Sequence, residues 1–211
     1  MLPRLYAICD ADICTGAGWS LTDFAAACMD GGATLLQLRA KRSTSADFLR
    51  FTEIVMKRAA ASGASIIVND RADVARLAGA GGVHVGQDDL RPSEVRRIVG
   101  SGAIVGLSTH TSDQLTLAVD EPITYLAVGP VFGTTTKETG YTAVGLDLVR
   151  EASAMAGSRQ LPVVAIGGIT LERAAAVIES GATTVAVITD LLVDNAPEAR
   201  VRAFLDRLSR V

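Results

Sequence analysis

Short apolar runs alternate with longer stretches of helical spacing from one end of the chain to the other. The runs are Leu5–Cys9, Thr34–Leu38, Ser65–Val68, Gly82–Val85, Ala103–Leu107, Ile123–Val128, Pro162–Ile166 and Thr183–Ile188. They are mostly apolar rather than alternating, the pattern of parallel strands covered on both faces. Helices are predicted between them. Ser20 to Asp23 supplies N-cap chemistry for a helix reaching about Asp30, where Gly31-Gly32 stops it. Ser43 to about Ser62 carries Phe48, Phe51, Val55 and Ala59 on one stripe, and Gly63 ends it. Further helices are predicted over Ala72–Ala78, Pro92–Val99, Ser112–Val119, Leu146–Ala156, Leu171–Glu179 and Pro197–Leu208, with Pro92 at a first-turn position. Ala11–Gly18 reads as a loop.

Eight strand-and-helix units favour an α/β chain folded as one (β/α)8 TIM barrel over residues 1–211. A doubly wound open sheet is the runner-up, but its Gly-x-Gly-x-x-Gly fingerprint is missing after the first run. Glycines and prolines punctuate single units and mark no linker between domains.

Composition narrows the class. Hydrophobic residues make up 49% of the chain and charged residues 20%, which excludes disorder. The net charge of −3 argues against a general nucleic-acid or anionic-membrane binder, yet allows one basic pocket for a phosphorylated small molecule. Cys9, Cys14 and Cys28 form an odd set without framework spacing, so free thiols in a reducing compartment are expected. With only His84 and His110 besides, no zinc spacing arises. There is no basic segment ahead of an apolar N-terminal stretch, and no uncharged apolar run of about 18 residues. A cytoplasmic protein is expected, and a homo-oligomer is allowed.

The polar residues fall at the ends of the runs, where the loops of a barrel form its active face. Arg39 and Lys41 follow the second run, Asn69 and Asp70 the third, Gln87 and Asp89 the fourth, and Ser108 and His110 the fifth. Gly129-Pro130-Val131-Phe132-Gly133-Thr134-Thr135-Thr136-Lys137 follows the sixth, Gly167-Gly168 the seventh and Thr189 the eighth. The Gly129–Lys137 stretch combines glycines, hydroxyls and an ammonium, which suits a phosphate or pyrophosphate cradle. A solvated Thr-rich loop would read the same way. Gly167-Gly168 can present N–H groups to a phosphate or make a tight turn. Asp70 and Asp89 form a carboxylate pair suited to Mg²⁺, or each caps the next helix. Arg39 closes an apolar run, where a charge is costly unless a ligand or buried carboxylate pairs with it. Gln37 precedes Arg39 by two and shares its face. His84, between two valines, reads as a hydrogen-bonded core histidine, and the role of His110 stays open. Two anion sites flanking a metal suggest a reaction that joins or cleaves phosphorylated substrates.

Several motifs, taken in order, resemble the thiamine phosphate synthase (thiamine-phosphate pyrophosphorylase) family. They are Gln37-Leu38-Arg39-Ala40-Lys41, Val68-Asn69-Asp70, Val83 to Asp89, Gly106 to His110, Gly129 to Lys137 and Ala165 to Ile169. The resemblance implies a transferase that joins hydroxymethylpyrimidine pyrophosphate to a thiazole phosphate, releasing pyrophosphate by a dissociative route. It implies Mg²⁺ on Asp70 and Asp89. It implies Gln37, Arg39, Lys41, Asn69, Ser108 and Lys137 around the pyrimidine pyrophosphate, with Arg39, Lys41, Ser108 and Lys137 as the catalytic set. Thr134, Thr136, Gly168, Ile188 and Thr189 would hold the thiazole phosphate. No nucleophile–base pair is evident, and such a reaction needs none. The chain departs from the family pattern at Gly133, where proline is common, at Ala40 for glutamate, at Thr189 for serine, and over Glu138–Tyr141. A related thiazole tautomerase is the nearest rival, but it would be expected to lose Asp70, Asp89, Ser108 and Lys137 and to carry histidine in place of Pro130. Another phosphate-binding barrel enzyme, or a non-catalytic sensor of phosphorylated ligands on the same scaffold, are further alternatives.

Overall fold

The computed structural model describes residues 2–133 and 142–211, so Thr134, Thr136 and Lys137 lie outside the described residues. Eight parallel strands close in sequence order: β1 Leu5–Asp10, β2 Leu35–Arg39, β3 Ser65–Asn69, β4 Gly82–Val85, β5 Ile104–Thr109, β6 Tyr125–Val128, β7 Val163–Ile166 and β8 Thr184–Val187. The last strand pairs with the first, Leu5 against Val185, so the sheet has no free edge. This is the (β/α)8 barrel that the pattern predicts.

The helices are α1 Ala11–Gly16, α2 Leu21–Asp30, α3 Ser45–Ser62, α4 Ala72–Ala78, α5 Pro92–Val99, α6 Ser112–Ala118, α7 Gly145–Gly157, α8 Leu171–Glu179 and α9 Pro197–Leu208. Ser20, Thr44 and Thr111 accept N–H groups at the starts of α2, α3 and α6, as their short hydroxyls favour. The stripe on α3 buries Phe48, Thr52, Val55 and Ala59. Thr52, and not the half-buried Phe51, lies on that face, and its buried hydroxyl is satisfied by donating to Phe48 O at 2.7 Å. Each large apolar side chain removed from water in this layer contributes about 1.5–3 kcal/mol.

Two local readings are corrected. Residues 11–16 are helical, capped by the Asp10 carboxylate, which accepts from the N–H groups of Asp12 and Ile13. Six residues are too few to show a helical period, so only the cap could have revealed it. After β8, Thr189–Asn195 forms 3-10 turns broken by a kink at Val193 and Asp194, a segment that the apolar pattern left unassigned.

Alternation along the strands positions the site. Tyr6, Ile8, Leu35, Ile67, Tyr125, Ala127, Val164 and Ala186 fill the barrel interior. The same faces continue to the strand ends in polar residues: Ile8 then Asp10, Leu35 then Gln37 and Arg39, Ile67 then Asn69, Gly106 then Ser108. The strands run through these polar residues instead of stopping before them, because ladder bonds do not depend on side-chain polarity. Pairing then sets Asp10 beside Arg39 and Asn69 beside His84.

Candidate active site

One cavity of about 320 Å³ opens at the C-terminal ends of the strands. Arg39, Lys41, Asn69, Asp70, Asp89 and Ser108 line it on one side. Gly129, Pro130, Gly167, Gly168, Ile188 and Thr189 line it on the other. One wall is therefore charged, and the other is backbone, apolar groups and a hydroxyl.

The charged wall is held from beneath. Asp10, 3% exposed, caps α1 through Oδ1 and pairs with Arg39 through Oδ2. It is the buried carboxylate that Arg39 required. Lys41 Nζ lies 2.9 Å from Asp70 Oδ2. Asp70 leaves β3 with φ at 61°, a left-handed turn that aspartate tolerates better than most side chains. Its N–H still donates to His84 O at 2.8 Å, which ties the turn to β4. Burial pushes the Asp70 carboxyl above its usual range, Lys41 opposes this, and the adjoining Asp89 carboxyl adds to it. Asp89 Oδ2 accepts from Gly86 N–H at 2.8 Å. Neither aspartate caps a helix: the residues preceding α4 and α5 are Arg71 and Arg91.

Ser108 and His84 form a pair that the sequence does not disclose. Ser108 Oγ lies 2.8 Å from His84 Nε2, and Tyr125 Oη lies 2.8 Å from His84 Nδ1. Gln87 Nε2 donates to the Ser108 carbonyl at 2.6 Å. Gln37 does not line this cavity. It is 2% exposed, and its amide donates to Tyr6 Oη at 2.9 Å.

The opposite wall is stitched across β6 and β7. Val131 N–H donates to Ile166 O at 2.9 Å and Phe132 N–H to Gly167 O at 3.0 Å, so pairing continues beyond both strands. Gly167 has φ at 102°, and a Cβ there would come within 2.5 Å of Pro130. Arg173 donates to Gly168 O at 3.0 Å and stacks 4.7 Å above the Phe132 ring. His110 Nδ1 is 2.5 Å from Gly129 O. A carbonyl only accepts, so Nδ1 carries the hydrogen. Asp190, which sequence reasoning left without a role, accepts from Leu171 N–H at 3.1 Å and from Arg200 at 2.7 Å. It joins the segment after β8 to the start of α8.

Asp70 and Asp89 are a hard-oxygen donor pair with adjoining carboxyls, and burial disfavours two bare charges there. A divalent cation that keeps several waters fits such a pair. Among the described residues no group of three or more ligating side chains gathers anywhere, so protein ligands here amount to this pair. No helix of the described residues is long and apolar enough to cross a membrane.

Known proteins match the chain over nearly all of its length. A family model for thiamine monophosphate synthase matches residues 5–191. A thiamine-phosphate synthase of Koribacter versatilis is 47% identical over 210 residues, spanning 98% of this chain and 96% of that one. A thiamine-phosphate synthase of Thermus thermophilus is 40% identical over 211 residues, spanning 99% and 98%. The solved thiamine phosphate pyrophosphorylase of Pyrococcus furiosus superposes with a TM-score of 0.87 at 25% identity, spanning 98% and 96%. Since the match runs from the first strand to the segment after the eighth, the chain belongs to the thiamine monophosphate synthase family of enzymes.

Proposed function

We propose that the chain catalyses the Mg²⁺-dependent condensation of hydroxymethylpyrimidine pyrophosphate with hydroxyethylthiazole phosphate, or its carboxylated form, giving thiamine phosphate and pyrophosphate. The observation that carries this reading is the convergence of Arg39, Lys41, Asn69, Asp70, Asp89 and Ser108 on one wall of one cavity. A pocket for a single phosphate would need neither the second aspartate nor the second cation. The names of the relatives, thiamine-phosphate synthases, support the same product.

In this reading the C–O bond between the pyrimidine methylene and pyrophosphate breaks first. The electron pair leaves with the pyrophosphate, and the thiazole nitrogen lone pair then forms the new C–N bond. Asp70 and Asp89 would hold Mg²⁺, which when bound supplies positive charge to the departing pyrophosphate. Arg39 and Lys41 orient the pyrophosphate and stabilise its growing charge, with Lys137 beyond the described residues assigned the same task. Asn69 and Ser108 donate hydrogen bonds to it. Gly168, Ile188 and Thr189, with Thr134 and Thr136, hold the thiazole phosphate and bring its nitrogen towards the methylene. Gln37 sits below the cavity floor, from where its amide would reach a pyrimidine ring only if that ring enters the barrel mouth.

The test is direct. Purified protein is mixed with both substrates and Mg²⁺, and thiamine phosphate and pyrophosphate are measured. Equimolar appearance of the two products supports the reading. Thiazole isomerisation, or ligand binding without either product, would replace it with the tautomerase or the sensor.

A further inference from the structure

Five side chains form one buried line from the middle of the barrel to the cavity. Gln37 Nε2 lies 2.9 Å from Tyr6 Oη, Tyr6 Oη 3.1 Å from Tyr125 Oη, Tyr125 Oη 2.8 Å from His84 Nδ1, and His84 Nε2 2.8 Å from Ser108 Oγ. Tyr6, Gln37, His84 and Tyr125 are all buried, and Ser108 ends the line half-buried at the cavity wall. The Tyr125 ring occupies space that only a glycine at position 106 leaves open, since a Cβ there would fall 2.0 Å from the ring. The line is thus built into the packing of β5 and β6.

Each phenol has one hydrogen to give, and an unpaired buried O–H is costly, so with both hydrogens used within the line it runs one way or the other as a whole. Burial keeps both phenols above their ordinary range, and both keep their protons. Run outward, Gln37 donates to Tyr6, Tyr6 to Tyr125, Tyr125 to His84 Nδ1, and His84 Nε2–H to Ser108. This leaves the Gln37 carbonyl Oε1 and one amide N–H without partners. Run inward, the amide must turn its carbonyl to Tyr6, which strands both of its N–H groups. Apart from Tyr6 and His84, the small void beside Gln37 is lined by Ile8, Ala127, Val164, Ile166 and Ala186, whose side chains cannot accept. A buried carbonyl without a partner is better tolerated than a buried N–H, so the outward direction is favoured.

The far end decides in the same sense. Run outward, the Ser108 hydroxyl hydrogen is left for the cavity. Run inward, Ser108 would turn only lone pairs towards it, which an anion disfavours. We propose that His84 is a positioning residue: Tyr125 holds it in the Nε2–H tautomer, and it commits the Ser108 hydroxyl hydrogen to an anionic oxygen of the bound ligand. The last step rests on the reading that this cavity holds a phosphorylated substrate. With Nε2 already protonated, His84 takes no proton from Ser108, and the pair is not an activated nucleophile despite its spacing.

The chain has only two histidines, which makes the tautomer directly readable. Long-range ¹H–¹⁵N correlation spectra of histidine-labelled protein near neutral pH report which ring nitrogen carries hydrogen, and His84→Gln identifies the His84 signals by their loss. Hydrogen on Nε2 alone is expected. Hydrogen on Nδ1, or on both nitrogens, overturns the proposal. This measurement needs no substrate, so a chain that makes no thiamine phosphate would sink the functional reading while the tautomer stands or falls alone. For the role, His84→Gln still presents an N–H where Nε2 was, and His84→Met does not. The glutamine variant should keep a kcat on the order of 10-fold above the methionine variant, with similar KM, as for outer partners that orient a reacting group. Equal kcat in two folded variants overturns the positioning role.

Discussion

Asp10 binds with both carboxylate oxygens, holding the first turn of α1 with one and the Arg39 guanidinium with the other. Asp10 is 3% exposed and the Arg39 side chain 17%. The pair joins the ends of β1 and β2 and sets a cation of the charged wall. Asp10→Asn keeps the shape but leaves Arg39 without a countercharge. Breaking such a pair costs about 3 kcal/mol, since the surviving charge stays partly desolvated. Urea denaturation should show that loss, and turnover should fall on the order of 10-fold as Arg39 shifts. A variant of unchanged stability would mean that water already satisfies Arg39.

Asp89→Asn separates charge from structure. The asparagine carbonyl can still accept from Gly86 N–H, so the turn before α5 should hold. Removing the charge also relieves Asp70, whose carboxyl the neighbouring Asp89 helps to push up. The thermal midpoint should stay level or rise, while the Mg²⁺ concentration for half-maximal activity rises at least about 10-fold. A magnesium titration of activity checks this. An unchanged titration would remove Asp89 from the proposed metal site.

Gly167→Ala probes the stitched wall. Its φ of 102° suits glycine, and the added methyl would meet Pro130 at 2.5 Å. Relief requires the β6 and β7 extensions to part, which weakens the bonds from Val131 and Phe132. A loss of about 2 kcal/mol is expected from backbone strain and contact together. The KM for the thiazole phosphate should rise more than that for the pyrimidine. Equal increases would show that the wall serves both substrates alike.

Alkaline pH should destabilise the fold. Burial, with the charge of Cys28 and Asp10 adding, pushes the Cys14 thiol up to about 12, and Cys9, Tyr6 and Tyr125 are also raised. The folded chain therefore keeps protons that the unfolded chain releases from about pH 9. The stabilisation is full below that value and is lost as pH rises towards the folded values. Unfolding free energies measured from about pH 8 to about pH 11 should decline, by about 1.4 kcal/mol per pH unit for each group that the unfolded chain ionises and the folded chain does not. The same burial makes the three thiols slow to alkylate until the protein unfolds. Rapid alkylation of the native chain would contradict it.

The local order of apolar and polar residues was enough to define the barrel. Parallel strands buried on both faces need continuous apolar runs, and Leu35–Leu38 or Ile66–Val68 can hardly be anything else between helical stretches. The polar residues that interrupt the pattern, Arg39, Asn69, Asp70, Asp89 and Ser108, were legible for the same reason, because a charge or amide at the end of such a run stands out. Partners were not legible. Asp10 meets Arg39 through strand register 29 residues away, and His84 meets Tyr125 across 41 residues. Pairing across closed strands depends on barrel stagger, which no local spacing encodes. Alternation placed Gln37 and Arg39 on one face, but only the depth of the interior packing decided that Arg39 reaches the cavity while Gln37 stays beneath it, bonded to Tyr6.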